Sequence, residues 1–147
     1  MSRGLAVLAG VGAGALVGLQ PAVNARLGKS LGSLQAASFS FIVGTLALLV
    51  ISAFVRGGLG TLGEVRDVPW WALVGGLLGA VYVVVALVAV RTLGASGITA
   101  VVIAGQLAMS VAIDRFGLLG LAKQQISLSR ILGLVLLAAG AALVVRK

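Results

Sequence analysis

The segment Leu5-Ala-Val-Leu-Ala-Gly10-Val-Gly-Ala-Gly14-Ala-Leu-Val-Gly18-Leu-Gln20-Pro21-Ala-Val-Asn24-Ala-Arg26-Leu27 decides how the rest of the chain is read. Its first half is apolar and small. Gly10, Gly14 and Gly18 recur every four residues and so share one side of a helix. Such a stripe lets a second helix approach closely, which matters in lipid, where no hydrophobic drive holds helices together. The second half changes character. Gln20 and Asn24 also stand four apart, on one face, with Pro21 between them removing a backbone donor. Two amides beside a proline in an apolar span mark either interhelical hydrogen bonding or a place where a solute is held.

The remainder of the chain has the same composition. Of 147 residues, 61% are hydrophobic and only 10% charged, and mean hydropathy is +1.22, outside the range of soluble domains. Apolar runs of about 20 residues each take up nearly everything, so a single transmembrane domain over 1–147 is expected, in contact with lipid throughout. The chain has no cysteine and no histidine. That removes thiolate metal sites, disulfides, the cysteine nucleophile and the commonest general base, so no metal, no cofactor and no enzyme activity are expected. The net charge of +8 comes from eleven basic residues scattered among the ends of apolar runs. They form no basic stripe, and nucleic acid is not an expected partner. No A-x-A cleavage site follows the first run, so it is read as a retained helix.

Five transmembrane helices are expected, at 5–27, 34–55, 70–90, 97–116 and 128–145, in an all-α integral membrane protein. Ser33 stands where an N-cap of the second helix belongs, and Ala36, Ser40 and Gly44 make a second small stripe there. Ser38 and Thr45 carry hydroxyls able to bond back to the backbone, and are read as structural. The stretch from Arg56 to Val68, with glycines 57, 58, 60 and 63, reads as an irregular loop. Asp67, Pro69 and Trp70–Trp71 then look like a cap, a first-turn proline and an interfacial anchor. Gly75 and Gly79 repeat the four-residue spacing in the third helix, where Tyr82 is the mid-span polar group. A tight turn at Arg91–Gly97 is expected, with Ser96 capping the fourth helix. On that helix Gln106, Ser110 and Asp114 fall on one face, Gln106 near mid-span, where a primary amide needs partners. Asp114, beside Arg115, reads as an interfacial ion pair or a loop tie or, alternatively, as a coupling site. Gly117–Ser127 is a loop, and the fifth helix is almost purely aliphatic, with Arg130 able to snorkel and Arg146–Lys147 at its end.

Five spans put the termini on opposite sides. One face then carries Arg3, Arg56, Arg66, Arg115, Lys123 and Arg130, which is six, and the other Arg26, Lys29, Arg91, Arg146 and Lys147, which is five. A difference of one sets no firm orientation under the positive-inside rule. Dual insertion and an antiparallel pair follow as expectations, the plan of inverted-repeat transporters.

The segments Gly18-Leu-Gln20-Pro-Ala-Val-Asn24-Ala-Arg-Leu27, Ala37-Ser-Phe-Ser-Phe-Ile-Val-Gly44-Thr45 and Ala104-Gly-Gln106-Leu…Ser110…Ile113-Asp114-Arg115-Phe-Gly117 resemble the YdcZ-type family of the drug/metabolite transporter superfamily. The resemblance covers essentially the whole chain. It implies a bacterial inner-membrane protein of five helices, half of a ten-helix fold completed by an antiparallel copy or by a sister protein. Two departures stand out. The family commonly has Asp-His-Phe-Gly where this chain has Asp114-Arg115, which weakens a proton relay there. Related four-helix multidrug exporters carry a glutamate in helix one, and none is present here, so their proton-for-cation exchange does not carry over.

The leading expectation is a secondary transporter for a small solute, working by alternating access, with Gln20, Asn24, Tyr82, Gln106 and Ser110 binding the solute. A passive channel formed by the same dimer and a non-transporting subunit of a heterodimer are the alternatives. Gly10, Gly14, Gly18, Gly44, Gly75 and Gly79 are the expected helix-packing positions.

Overall fold

A computed structural model describes residues 1–55 and 58–146. Arg56, Gly57 and Lys147, which entered the loop reading and the charge count, lie outside the described residues. The fold is helical, with no strand among the described residues. Helix α1 spans Arg3–Leu31, α2 Ser33–Phe54, α3 Gly75–Phe116 and α4 Leu128–Val145. Four segments are long and apolar enough to cross a membrane: Arg3–Leu31, Ser33–Phe54, Trp70–Phe116 and Leu128–Val145. This makes an all-α membrane protein. The chain divides into two compact units, Met1–Arg91 and Thr92–Lys147, described here in turn.

In the first unit α1 begins at a Ser2 cap, whose hydroxyl accepts the Leu5 N–H at 3.3 Å. It continues past Leu27 to Leu31, so the expected basic turn is instead the last turn of the helix. Lys29 lies there, where the negative end of the helix dipole favours a cation. Gly32 alone makes the corner. Its φ of 90° suits glycine, and its N–H closes onto the Gly28 carbonyl at 3.0 Å. Gly32 is also the N-cap of α2, so Ser33 lies inside the helix and does not cap it. The Ser33 hydroxyl accepts from Arg91 Nη2 at 3.3 Å.

The connection Gly58–Asp67 is a 3₁₀ helix, not an irregular loop. Asp67 ends it, and Pro69, with extended φ and ψ, is the N-cap of a second 3₁₀ segment, Trp70–Val74, so α-helix starts five residues later than expected. Trp70 and Trp71 are both exposed, as an interfacial anchor requires.

The core of this unit is small. Ala36, Ala37, Val83, Ala86 and Leu87 are buried, and α1 turns Pro21, Asn24 and Gly28 inward. These three stand at i, i+3 and i+7, one helical face. A Cβ on Gly28 would lie 3.3 Å from Leu87 Cδ2 and 3.4 Å from Arg91 Nη2, so this glycine permits the close approach. Gly10, Gly14, Gly44 and Gly75 have no described atom within 4 Å of a Cβ position, and Gly79 meets the Phe41 ring at 3.5 Å. Among the described residues, therefore, Gly10 and Gly14 face outward, while Gly28 packs tightly and Gly79 lies in ordinary contact with Phe41.

α3 has 42 residues, about 63 Å at 1.5 Å per residue, twice the hydrocarbon thickness of a bilayer. It breaks at Gly94, whose φ of 71° and ψ of 170° are non-helical. The expected Arg91–Gly97 turn is thus a single residue, and Ser96 lies within the helix that follows. In the second unit that helix ends at Phe116 with Gly117 left-handed, the usual glycine stop. A 3₁₀ turn, Leu118–Gly120, and a stretch without regular structure lead to Ser127, whose hydroxyl accepts the Arg130 N–H at 3.3 Å and caps α4. Ile98 and Ala141 are the buried hydrophobic residues of this unit among those described.

Candidate functional site

Two crevices with polar side chains in their walls lie along the spans, one in each unit. The first lies between α1 and α2. Asn24 is only 4% exposed, the buried polar side chain of the described residues. Its Oδ1 accepts the Ser40 hydroxyl at 2.5 Å, while Nδ2 has no partner. Ser40 in turn forms part of the wall of a crevice of about 200 Å³, with Gln20, Phe41, Gly44, Thr45 and Leu48. The register explains the meeting. Asn24 lies seven residues before the end of α1 at Leu31, and Ser40 seven residues after the start of α2 at Ser33, so both sit about 10 Å from the Gly32 corner. Both are therefore well inside a hydrocarbon core of about 30 Å. Gln20 is half-buried, and neither it nor Thr45 makes a side-chain hydrogen bond among the described residues.

Ser40 and Thr45 are the members that the sequence reading passed over. Ser40 was visible only as part of the Ala36/Ser40/Gly44 stripe, yet a hydroxyl in a stripe facing another helix is itself the signal. Thr45, read as structural, lines the crevice, whereas Ser38 does bond back to the Leu34 carbonyl at 3.0 Å.

The second crevice, in the other unit, has about 290 Å³ and is lined by Leu107, Ser110, Val111, Asp114, Arg130 and Gly133. Ser110 and Asp114 are thus brought together, as their four-residue spacing implies. Asp114 does not pair with its neighbour Arg115, which is exposed. Its Oδ2 accepts from Arg130 Nη1 at 3.1 Å, and Arg130 Nη2 donates to Gln124 Oε1 at 2.8 Å. The Gln124 N–H closes the ring onto the Asp114 carbonyl at 2.8 Å. Arg130 is consequently tied to the loop rather than free to snorkel. Both carboxylate and guanidinium remain partly exposed, so the pair is a tie worth about 0–1 kcal/mol in water.

Gln106 and Tyr82 join neither crevice. Tyr82 is half-buried on the first part of α3. Gln106 is exposed, between Gly94 and the end of α3, and makes no side-chain hydrogen bond among the described residues.

Comparison with known proteins agrees with this architecture. A family model described as "Putative inner membrane exporter, YdcZ" matches residues 5–143. The chain is 33% identical over 103 residues to a protein of Escherichia coli (strain K12) named "Inner membrane protein YdcZ", a match covering 69% of this chain and 68% of the relative. No solved structure matches. Apolar helices of membrane-crossing length, polar crevices within them and the match over nearly the whole chain lead to one conclusion: this is a multi-pass bacterial inner-membrane protein that belongs to the YdcZ-type family of the drug/metabolite transporter superfamily.

Proposed function

We propose that the protein is a secondary transporter that moves a small solute across the inner membrane by alternating access, as an antiparallel pair of five-span protomers. The fifth span comes from dividing α3 at Gly94, into 75–93 and 95–116, each near one bilayer thickness. Export is the direction that the family description favours. The observation that carries the reading is Gln106. A primary amide has two donors and an acceptor, and lipid satisfies none of them. Exposed at mid-span with no side-chain hydrogen bond among the described residues, it requires a second chain, a solute or both. In an antiparallel pair the two Gln106 residues lie at similar depth, while the two Gln20/Asn24 crevices are displaced towards opposite faces. A central station with one polar step on each side is what alternating access needs.

The test is counterflow of a panel of labelled metabolites in proteoliposomes, with wild type and Gln106→Leu. Saturable exchange that Gln106→Leu abolishes, with the dimer intact, is the expected result. Full transport by Gln106→Leu would sink the assignment. Weakening of the dimer first, by about 0.6–2 kcal/mol, would identify Gln106 as interhelical hydrogen bonding instead. Non-saturating flux without counterflow would mean a channel.

A further inference from the structure

We infer that the α1–α2 crevice selects a small uncharged solute carrying both a hydrogen-bond donor and an acceptor, as a primary amide does. The inference rests on the transport reading and adds the solute's chemical class.

The donors and acceptors of the crevice can be counted. Ser40 has one proton, and Asn24 Oδ1 takes it. The crevice therefore meets the Ser40 oxygen as an acceptor. Gln20 brings one carbonyl oxygen and an NH₂ group, and Thr45 a hydroxyl, none of them paired with another side chain among the described residues. A simple cationic group such as an amidinium brings donors alone and leaves the Gln20 NH₂ unpaired. A carboxylate brings acceptors alone and leaves the Gln20 carbonyl and the Ser40 oxygen unpaired. Only a ligand with both kinds of group satisfies the set, and unpaired polar groups in a dry site are costly.

Charge points the same way. α2 carries no charged residue, and the charges of α1 lie at Arg3, Arg26 and Lys29, none on the crevice wall. An ionic solute would therefore lie in low dielectric without a counter-charge beside it. Cations meet a further obstacle. Arg26 and Lys29 at the end of α1 share that end with Arg91, which bonds to Ser33 at the start of α2. The acids of this unit, Glu64 and Asp67, follow the other end of α2. Asn24 Nδ2, a buried donor without an acceptor, adds positive potential behind the wall.

Size limits the class further. At about 200 Å³ the crevice is smaller than the roughly 300–1,000 Å³ typical of sites for drug-sized ligands. Phe41 closes one side and is itself backed by Gly79, whose Cβ position lies 3.5 Å from the ring.

Three probes of nearly one shape separate the charges: acetamide, acetate and acetamidinium. Labelled acetamide should show saturable counterflow in proteoliposomes, and the two ions should compete about tenfold less well, the loss of a paired polar contact. Gln20→Leu should lower acetamide flux about tenfold on the same grounds, and Ser40→Ala severalfold. Thr45→Val, isosteric and on an exposed position, serves as the crevice variant if Gln20→Leu gives no folded protein. Acetate or acetamidinium carried as well as acetamide would overturn the solute class and leave the transport reading intact. Acetamide flux untouched by all three substitutions would overturn the crevice as the site. No saturable flux of any probe would also overturn it, whereas the transport reading fails only if the wider metabolite panel is blank too.

Discussion

At Gly28 the packing of the first unit depends on an absent side chain. Leu87, fully buried, and Arg91 stand at 3.3 and 3.4 Å from where a Cβ would be. Alanine asks these flexible ends to shift by a few tenths of an ångström, but Gly28→Leu forces the helices apart. A loss of about 1–3 kcal/mol is expected, as in other overpacked contacts, read as a lower melting temperature of the purified protomer. Gly14→Leu is the contrasting case. With nothing within 4 Å in the protomer, it should leave protomer melting unchanged. If the outward stripe meets a second copy, the same substitution should lower the dimer fraction in cross-linking. The Asn24–Ser40 pair allows a second comparison. Ser40→Ala leaves Asn24 Oδ1 and Nδ2 both unpaired in a buried setting, so it should cost about 1–3 kcal/mol. The double change Asn24→Leu with Ser40→Ala removes the polar groups together, and should melt near wild type or above it while losing solute flux. A double variant that is less stable than Ser40→Ala alone would contradict this account.

Among the elements, α3 turns on Gly94. Its φ of 71° and ψ of 170° lie in a region that is essentially restricted to glycine. Gly94→Ala should therefore destabilise by about 1–3 kcal/mol although no atom lies within 4 Å of the new methyl group. Gly105, helical and equally open, is the control, and Gly105→Ala should stabilise by up to about 1 kcal/mol through helix propensity. Thermal melting of the two variants side by side measures the difference, and equal effects would mean that Gly94 is not held in its strained conformation. A tight turn over Arg91–Gly97 was expected, but its reduction to one residue was not legible. Helical residues run up to Gly94 and resume after it, so propensity alone has no signal for the corner. The same holds at Gly32, where a one-residue corner displaced Ser33 from the cap and gave its hydroxyl to Arg91.

For the whole molecule the governing quantity is charge balance across the membrane. In the proposed five-span topology six basic residues fall on one face and five on the other, a balance that favours neither orientation. Reporter tags at the C-terminus should show both cytoplasmic and periplasmic molecules. Adding two lysines next to Lys29 shifts the count to seven against six and should drive the chain into one orientation. If homodimers are antiparallel, that variant should lose self-association and transport, and recover both when co-expressed with a variant biased the other way. A single orientation of the wild-type chain, in cells without any sister protein, would exclude the antiparallel homodimer.

Composition and periodicity alone determined that the chain is an all-helical membrane protein, and that Gln20 and Asn24 share a face. These properties follow from the cost of exposing backbone and charge to lipid, which acts on every residue without reference to its neighbours. The aliphatic run at the end of the sequence likewise forms one helix, Leu128–Val145. Tertiary structure decided which side chains meet. Asn24 finds Ser40 sixteen residues away, Asp114 finds Arg130 instead of Arg115, and Gly28 packs where Gly10 and Gly14 do not. Such pairings depend on where two helices cross, and a stripe repeating every four residues marks a face without saying at what height a partner arrives.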